Sequence, residues 1–112
     1  VRIAFFHDGD PRIARLRGEL EARGHRVLVV GPGASHRFLV RLFDDERPDI
    51  IHSLGRGPMA LLSASYWGRV LRPRGTRRVS DVGGVPFVDD VIDGSLPGAF
   101  LEAAYLRVLG LR

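Results

Sequence analysis

The chain has no cysteine. It therefore forms no disulfide, presents no thiol nucleophile and builds no thiolate zinc site. Lysine, asparagine and glutamine are also missing, so all 17 basic residues are arginine. Without lysine there is no P-loop to cradle a phosphate and no amine for Schiff-base chemistry. No G-x-S-x-G nucleophile elbow occurs, and no G-x-G-x-x-G follows the first apolar run, which argues against a dinucleotide-binding domain. No apolar stretch reaches the roughly 20 residues that span a bilayer, and no signal-peptide pattern precedes the first strand-like run. The expectation from these absences is a cytoplasmic protein, at most peripheral at the inner membrane face.

What is present is enough for one core. The 112 residues are 45% hydrophobic, an ordinary globular share, and a chain of this length buries roughly two-thirds of its unfolded surface in a single domain. The formal net charge is +4. Its densest source is Arg72, Arg74, Arg77 and Arg78 in "RPRGTRR". No aromatic residues are interleaved to stack bases and no nucleic-acid motif accompanies them, so no nucleic-acid partner is expected. A solvated loop is the plain reading, and attraction to an anionic membrane surface is the functional alternative.

The apolar pattern alternates between strand and helix. "VRIAFF" (Val1 to Phe6) reads as a buried strand. Asp10 as N-cap and Pro11 as first helical residue would open a helix carrying Ile13, Leu16 and Leu20, stopped by Gly24. "RVLVV" (Arg26 to Val30) is a second strand, closed by Gly31-Pro32-Gly33. Ser35 caps a helix with Phe38, Leu39, Leu42 and Phe43 on one face, ended by Pro48. Ile50 to Leu54 is a third strand. Gly55-Arg56-Gly57-Pro58 turns into a helix through Leu61, Leu62, Trp67 and Leu71, broken by Pro73 and Gly75. Arg78 to Val82 is a weaker fourth strand, ended by Gly83-Gly84. An irregular acidic segment with Asp89, Asp90 and Asp93 runs to Gly94. Ser95 then caps a last helix through Phe100, Leu101, Tyr105, Val108 and Leu109. This order predicts an α/β fold: a three-layer, Rossmann-like parallel sheet with helices on both faces.

In such sheets ligands bind at the carboxyl ends of the strands, which selects the loops His7 to Asp10, Gly31 to Gly33, Ser53 to Gly57, and Asp81 to Gly84. His7 and Asp8 are the candidate bases or hydrogen-bonding groups, with Asp10 as a helix cap. Gly83 and Gly84 would allow close backbone approach or merely end the strand, and Gly9 lends flexibility to the first loop. Gly55 and Gly57 precede a helix N-terminus, where free N–H groups can meet an anion, or simply form a tight turn. His52 inside a strand reads as a satisfied core histidine, His25 as structural. No ligand cluster suggests a bound metal.

Three segments carry a family resemblance: "DPRIARLRGELEARGHRVLVVGP", "PDIIHSLG" and "RRVSDVGG". In order and spacing they resemble the N-terminal domain of family 4 glycosyltransferases of the GT-B architecture. The resemblance implies the strand order 2-1-3-4. It makes residues 1–112 a single, incomplete acceptor-side domain, with His7, Asp8, Gly9, Ser53, Gly55, Gly57, Gly83 and Gly84 facing a sugar or lipid-linked acceptor. It implies no cofactor in this chain, the nucleotide-sugar donor belonging to a missing C-terminal domain or complementary chain. It also implies an unpaired edge at strand four, open to self-association together with the last helix. The competing reading is a non-catalytic α/β binding or interaction module on the same scaffold.

Overall fold

A computed structural model of the chain describes residues 1–55, 57–81 and 90–111. Among the described residues, five parallel strands form one sheet: β1 (Arg2–His7), β2 (Arg26–Val30), β3 (Ile50–Leu54), β4 (Arg77–Ser80) and β5 (Asp90–Val91), in the order β2-β1-β3-β4-β5. The helices are α1 (Ile13–Ala22), α2 (His36–Glu46), α3 (Pro58–Tyr66) and α4 (Gly98–Val108). The expected order of the first four strands holds. The fifth strand was not expected: Val79 pairs with Asp90 and Ser80 with Val91, so β4 has a neighbour on each side and is not the open edge that the sequence suggested.

The period of two in β1 assigns its residues to two cores. Ile3 and Phe5 pack with Leu16 and Leu20 of α1, Leu101 and Tyr105 of α4, Ile50, Leu54 and Val79. Ala4 and Phe6 pack on the opposite face with Leu39 and Phe43 of α2, Met59 and Tyr66 of α3, Ile51 and Trp67. Strands apolar on both faces are what a parallel sheet between two helical layers demands. The stripe of α4 is thus half spent: Leu101 and Tyr105 are fully buried, while Phe100 is 65% exposed.

Local signals are met unevenly. Ser35 caps α2, its hydroxyl accepting from Phe38 N–H at 3.1 Å. Gly24 closes α1 in the left-handed region, at φ +88°. Asp10 is not the N-cap expected of it. Arg12 holds that position without a side-chain cap bond, and the Asp10 carboxylate instead turns back to accept from Arg12 N–H at 2.8 Å. Nor does Ser95 cap α4, which begins after Pro97; Ser95 bonds to Asp93. The chain beyond α3 widens into a π turn over Trp67–Leu71 and tightens into a 3₁₀ turn over Arg72–Arg74. The arginine cluster is not a uniformly solvated loop. Arg72 lies over the Trp67 ring, Arg74 pairs with Asp44, Arg77 pairs with Asp90, and Arg78 is buried. Among the described residues, no helix is long and apolar enough to cross a membrane.

Candidate functional site

The chain leaves β1 for β2 on one side and then passes from β2 to β3 on the other, so the winding reverses between β1 and β3. The loops after these two strands frame the crevice where doubly wound sheets bind ligands. His7, Asp8 and Gly9 stand in the first loop, Gly55 and Gly57 in the second, and Gly31 and Gly33 follow β2 alongside. Gly83 and Gly84 lie outside the described residues.

Asp8 crosses the crevice. Its Oδ1 accepts from Met59 N–H at 3.2 Å, at the first turn of α3. A Cβ on Gly57 would stand 2.3 Å from Asp8 Oδ2, so the carboxylate takes the space that only a glycine leaves there. The N-terminus of α3 is therefore filled by the chain's own anion, which satisfies the electrostatics of a helix start. Ser53 is turned away: its hydroxyl is buried, hydrogen-bonded to Ser63 Oγ and accepting from Arg78.

His7 is partly buried and bent into its own loop. Its Nδ1 accepts from the N–H of Gly9 at 3.0 Å and of Asp10 at 3.2 Å. In the neutral ring Nε2 then carries the proton, and it faces Gly31, whose Cβ would stand 3.4 Å away. Gly33, Gly9 and Gly55 follow the adjacent strands β2, β1 and β3, each at positive φ (+88°, +101°, +91°), and each has open space where a side chain would stand.

Beside the crevice runs a chain of polar contacts that no local motif announces. The Asp81 carboxylate accepts from Arg12 at 2.6 Å and from His52 Nε2 at 2.7 Å. His52, fully buried as expected, meets the Tyr105 hydroxyl with Nδ1 at 2.6 Å. Arg12 also clamps Asp10 with both its Nε and its terminal nitrogen, and the guanidinium holds the Asp10 carboxyl below the usual aspartate range. Burial, reinforced by the Asp81 charge, drives the Tyr105 hydroxyl well above its ordinary pKa and keeps it neutral. This array ties α1, β3, β4 and α4 together and holds the first loop in place.

A second feature escaped the sequence. His36, the first residue of α2, contacts Tyr66: the phenol lies 2.7 Å from His36 Nδ1 and 3.0 Å from the His36 carbonyl. A phenol has one proton, and the carbonyl can only accept. Both contacts are satisfied when Nδ1–H donates to the phenol oxygen and the phenol donates to the carbonyl. The Nε2 lone pair is then presented from an exposed residue. Both ring nitrogens of His25 and of His52 are engaged: His25, at the far end of the strands, meets the N-terminus with Nδ1 and Glu102 with Nε2, and His52 meets Tyr105 and Asp81. Among the described residues, no three His, Cys, Asp or Glu side chains form a group that could hold a metal ion by themselves.

No family model matches the chain, and no curated protein does. A solved structure described as a novel cobalamin-binding protein from Desulfitobacterium hafniense DCB-2 is similar, with a TM-score of 0.51 and 19% identity over 97% of this chain. The chain spans 48% of that protein's length. The likeness is one of fold, the Rossmann-like doubly wound sheet. It corrects the family resemblance read from the sequence: no comparison supports a glycosyltransferase, and the view of this chain as the acceptor-side half of a sugar-transferring enzyme is overturned. The expectation of no cofactor in this chain draws no support from the comparisons.

Proposed function

We propose that the chain is a binding module that carries a corrinoid on the carboxyl edge of its sheet. The observation that carries this reading is the bare row Gly33, Gly9 and Gly55 above three adjacent strands. Neighbouring strands stand about 4.8 Å apart, so the glycines after three of them open room for a ligand over about 10 Å along the edge. That suits a broad planar macrocycle better than a compact anion, and the anion position at α3 is already filled by Asp8. The class of ligand follows the cobalamin-binding neighbour of like fold.

The residues present fit such a group at one point in particular. An imidazole of this chain would hold the cobalt, and a ligating histidine ordinarily donates its second ring N–H to a fixed acceptor. His36 meets that condition through Tyr66; His7 would first have to give up the bonds from Gly9 and Asp10. When bound, the group would supply cobalt-centred alkyl or radical chemistry. The chain's own part is to orient one imidazole, to leave room at Gly33, Gly9 and Gly55 and to hold the first loop through Arg12, Asp10 and Asp81.

The test is titration of the purified chain with aquocobinamide and with cob(II)inamide, corrinoids that carry no nitrogen base of their own, followed by absorbance and electron paramagnetic resonance. Saturable binding with a nitrogen signal lost in His36→Ala is expected, and Tyr66→Phe should weaken binding about 10-fold or more. Absence of saturable binding by the unaltered chain would refute the proposal.

A further inference from the structure

We propose that a second copy of this chain docks on the outer face of α2, the two α2 helices crossing antiparallel about a twofold axis. The face is a shallow groove of about 490 Å³ lined by Ser35, Arg37, Phe38, Arg41, Leu42 and Asp45. Residues 35, 38, 42 and 45 recur at helical spacing, so the groove follows one stripe of the helix. Phe38 is 50% exposed there, although α2 already has Leu39 and Phe43 in the core beneath.

The charges choose the occupant. Arg37 and Arg41 lie in the first half of α2 and Asp45 in the second, all exposed and none paired among the described residues. The other acids of that half, Asp44 and Glu46, are held by Arg74 and Arg26. A helix with a basic first half and an acidic second half is complementary to itself when reversed. With the axis between residues 41 and 42, the arginines of one copy lie beside Asp45 of the other and Phe38 packs along Leu42. A twofold contact of this kind uses the same patch twice.

The contact is small. An 11-residue helix is about 16 Å long, and a stripe of that length buries well under the ~1,200 Å² of a stable interface. Association in the range of ~0.1–1 mM is therefore expected. It does not depend on the corrinoid reading.

Sedimentation velocity on the whole chain across that range tests it. Phe38→Ser, Arg41→Asp and Asp45→Arg should each weaken self-association about 10-fold, a change of ~1.4 kcal/mol. Joining Arg41→Asp to Asp45→Arg in one chain should recover part of it, because the exchanged pair is again complementary while Arg37 now meets a like charge. A mixture of the two single variants should associate more tightly than either alone. These side chains are exposed, so loss of folding does not confuse the result. A monomer at all concentrations, or dimers indifferent to the charge exchanges, would overturn the proposal.

Discussion

Substitution of Gly57 by alanine should destabilise the protein, and the same substitution should stabilise it once Asp8 is gone. Pro58 brings no N–H to the first turn of α3, and the N–H groups of Ala60 and Leu61 reach back to the Gly57 carbonyl. Met59 N–H is the donor that needs a partner from outside, and Asp8 Oδ1 supplies it at 3.2 Å. Alanine at position 57 meets no backbone strain, since φ there is −79°. Its Cβ would, however, lie 2.3 Å from Asp8 Oδ2 and 2.7 Å from Cγ, so the carboxylate must swing out. The lost cap bond costs ~1 kcal/mol and the lost charge at the helix start ~0.3–1 kcal/mol. Replacing glycine where φ suits alanine returns ~0.4–1 kcal/mol by restricting the unfolded chain. The net for Gly57→Ala is a loss of about 1 kcal/mol, or a Tm lower by about 4–5 °C for a domain of this size. Asp8→Ala alone should cost about 1–2 kcal/mol by the same two terms. In the Asp8→Ala background the clash is absent, and Gly57→Ala should raise stability by about 0.5 kcal/mol. Urea unfolding followed by circular dichroism on the four proteins of the cycle measures this directly. Equal effects of Gly57→Ala in the two backgrounds would show that Asp8 does not fill the start of α3.

His52→Leu should cost about 3 kcal/mol or more in a denaturant titration, because it leaves the Tyr105 hydroxyl and one Asp81 oxygen buried without their partner; a loss below ~1 kcal/mol would mean that the array is slack. Glu102 is held at about 2 by Arg23 first and His25 second. A lowered carboxylate contributes stability above its unfolded value of 4.5 and loses it as pH falls toward 2. Partial exposure limits the amount to about 1 kcal/mol, and Glu102→Gln should flatten that part of the acid unfolding curve. Asp10 has the same sign: Arg12→Met should raise its titration midpoint by carboxyl carbon NMR, and an unchanged midpoint would discredit the clamp. Arg47 ends α2 at φ +45°, so Arg47→Gly should raise the Tm slightly, where a decrease would point to a contact made by its side chain.

The strands and helices were legible because their signals are local. "RVLVV" bounded by glycines, Ser35 before an amphipathic run, and Gly24 after another each act within a few residues. Alternation of strand and helix then fixed a parallel sheet, whatever the family. The start of α1 was misread because Asp10 faced two partners: its own helix, and the guanidinium of Arg12, which offers two charged bonds instead of one neutral cap. The fifth strand was missed because Asp90–Val91 is too short and too polar to show an alternating pattern; only the free edge of β4 makes it a strand. Asp8 was read only as a residue of the first loop; its partner lies 51 residues onward at Met59. His52, Asp81 and Tyr105 are likewise joined across gaps of 29 and 53 residues, and His36 meets Tyr66 across 30. No spacing rule encodes such pairs. Composition and periodicity determined by themselves what this chain could not be, and that it would fold as a doubly wound sheet. Which imidazole meets a phenol and which carboxylate closes a helix were decided by the tertiary structure, because strand order and helix packing set which distant loops become neighbours.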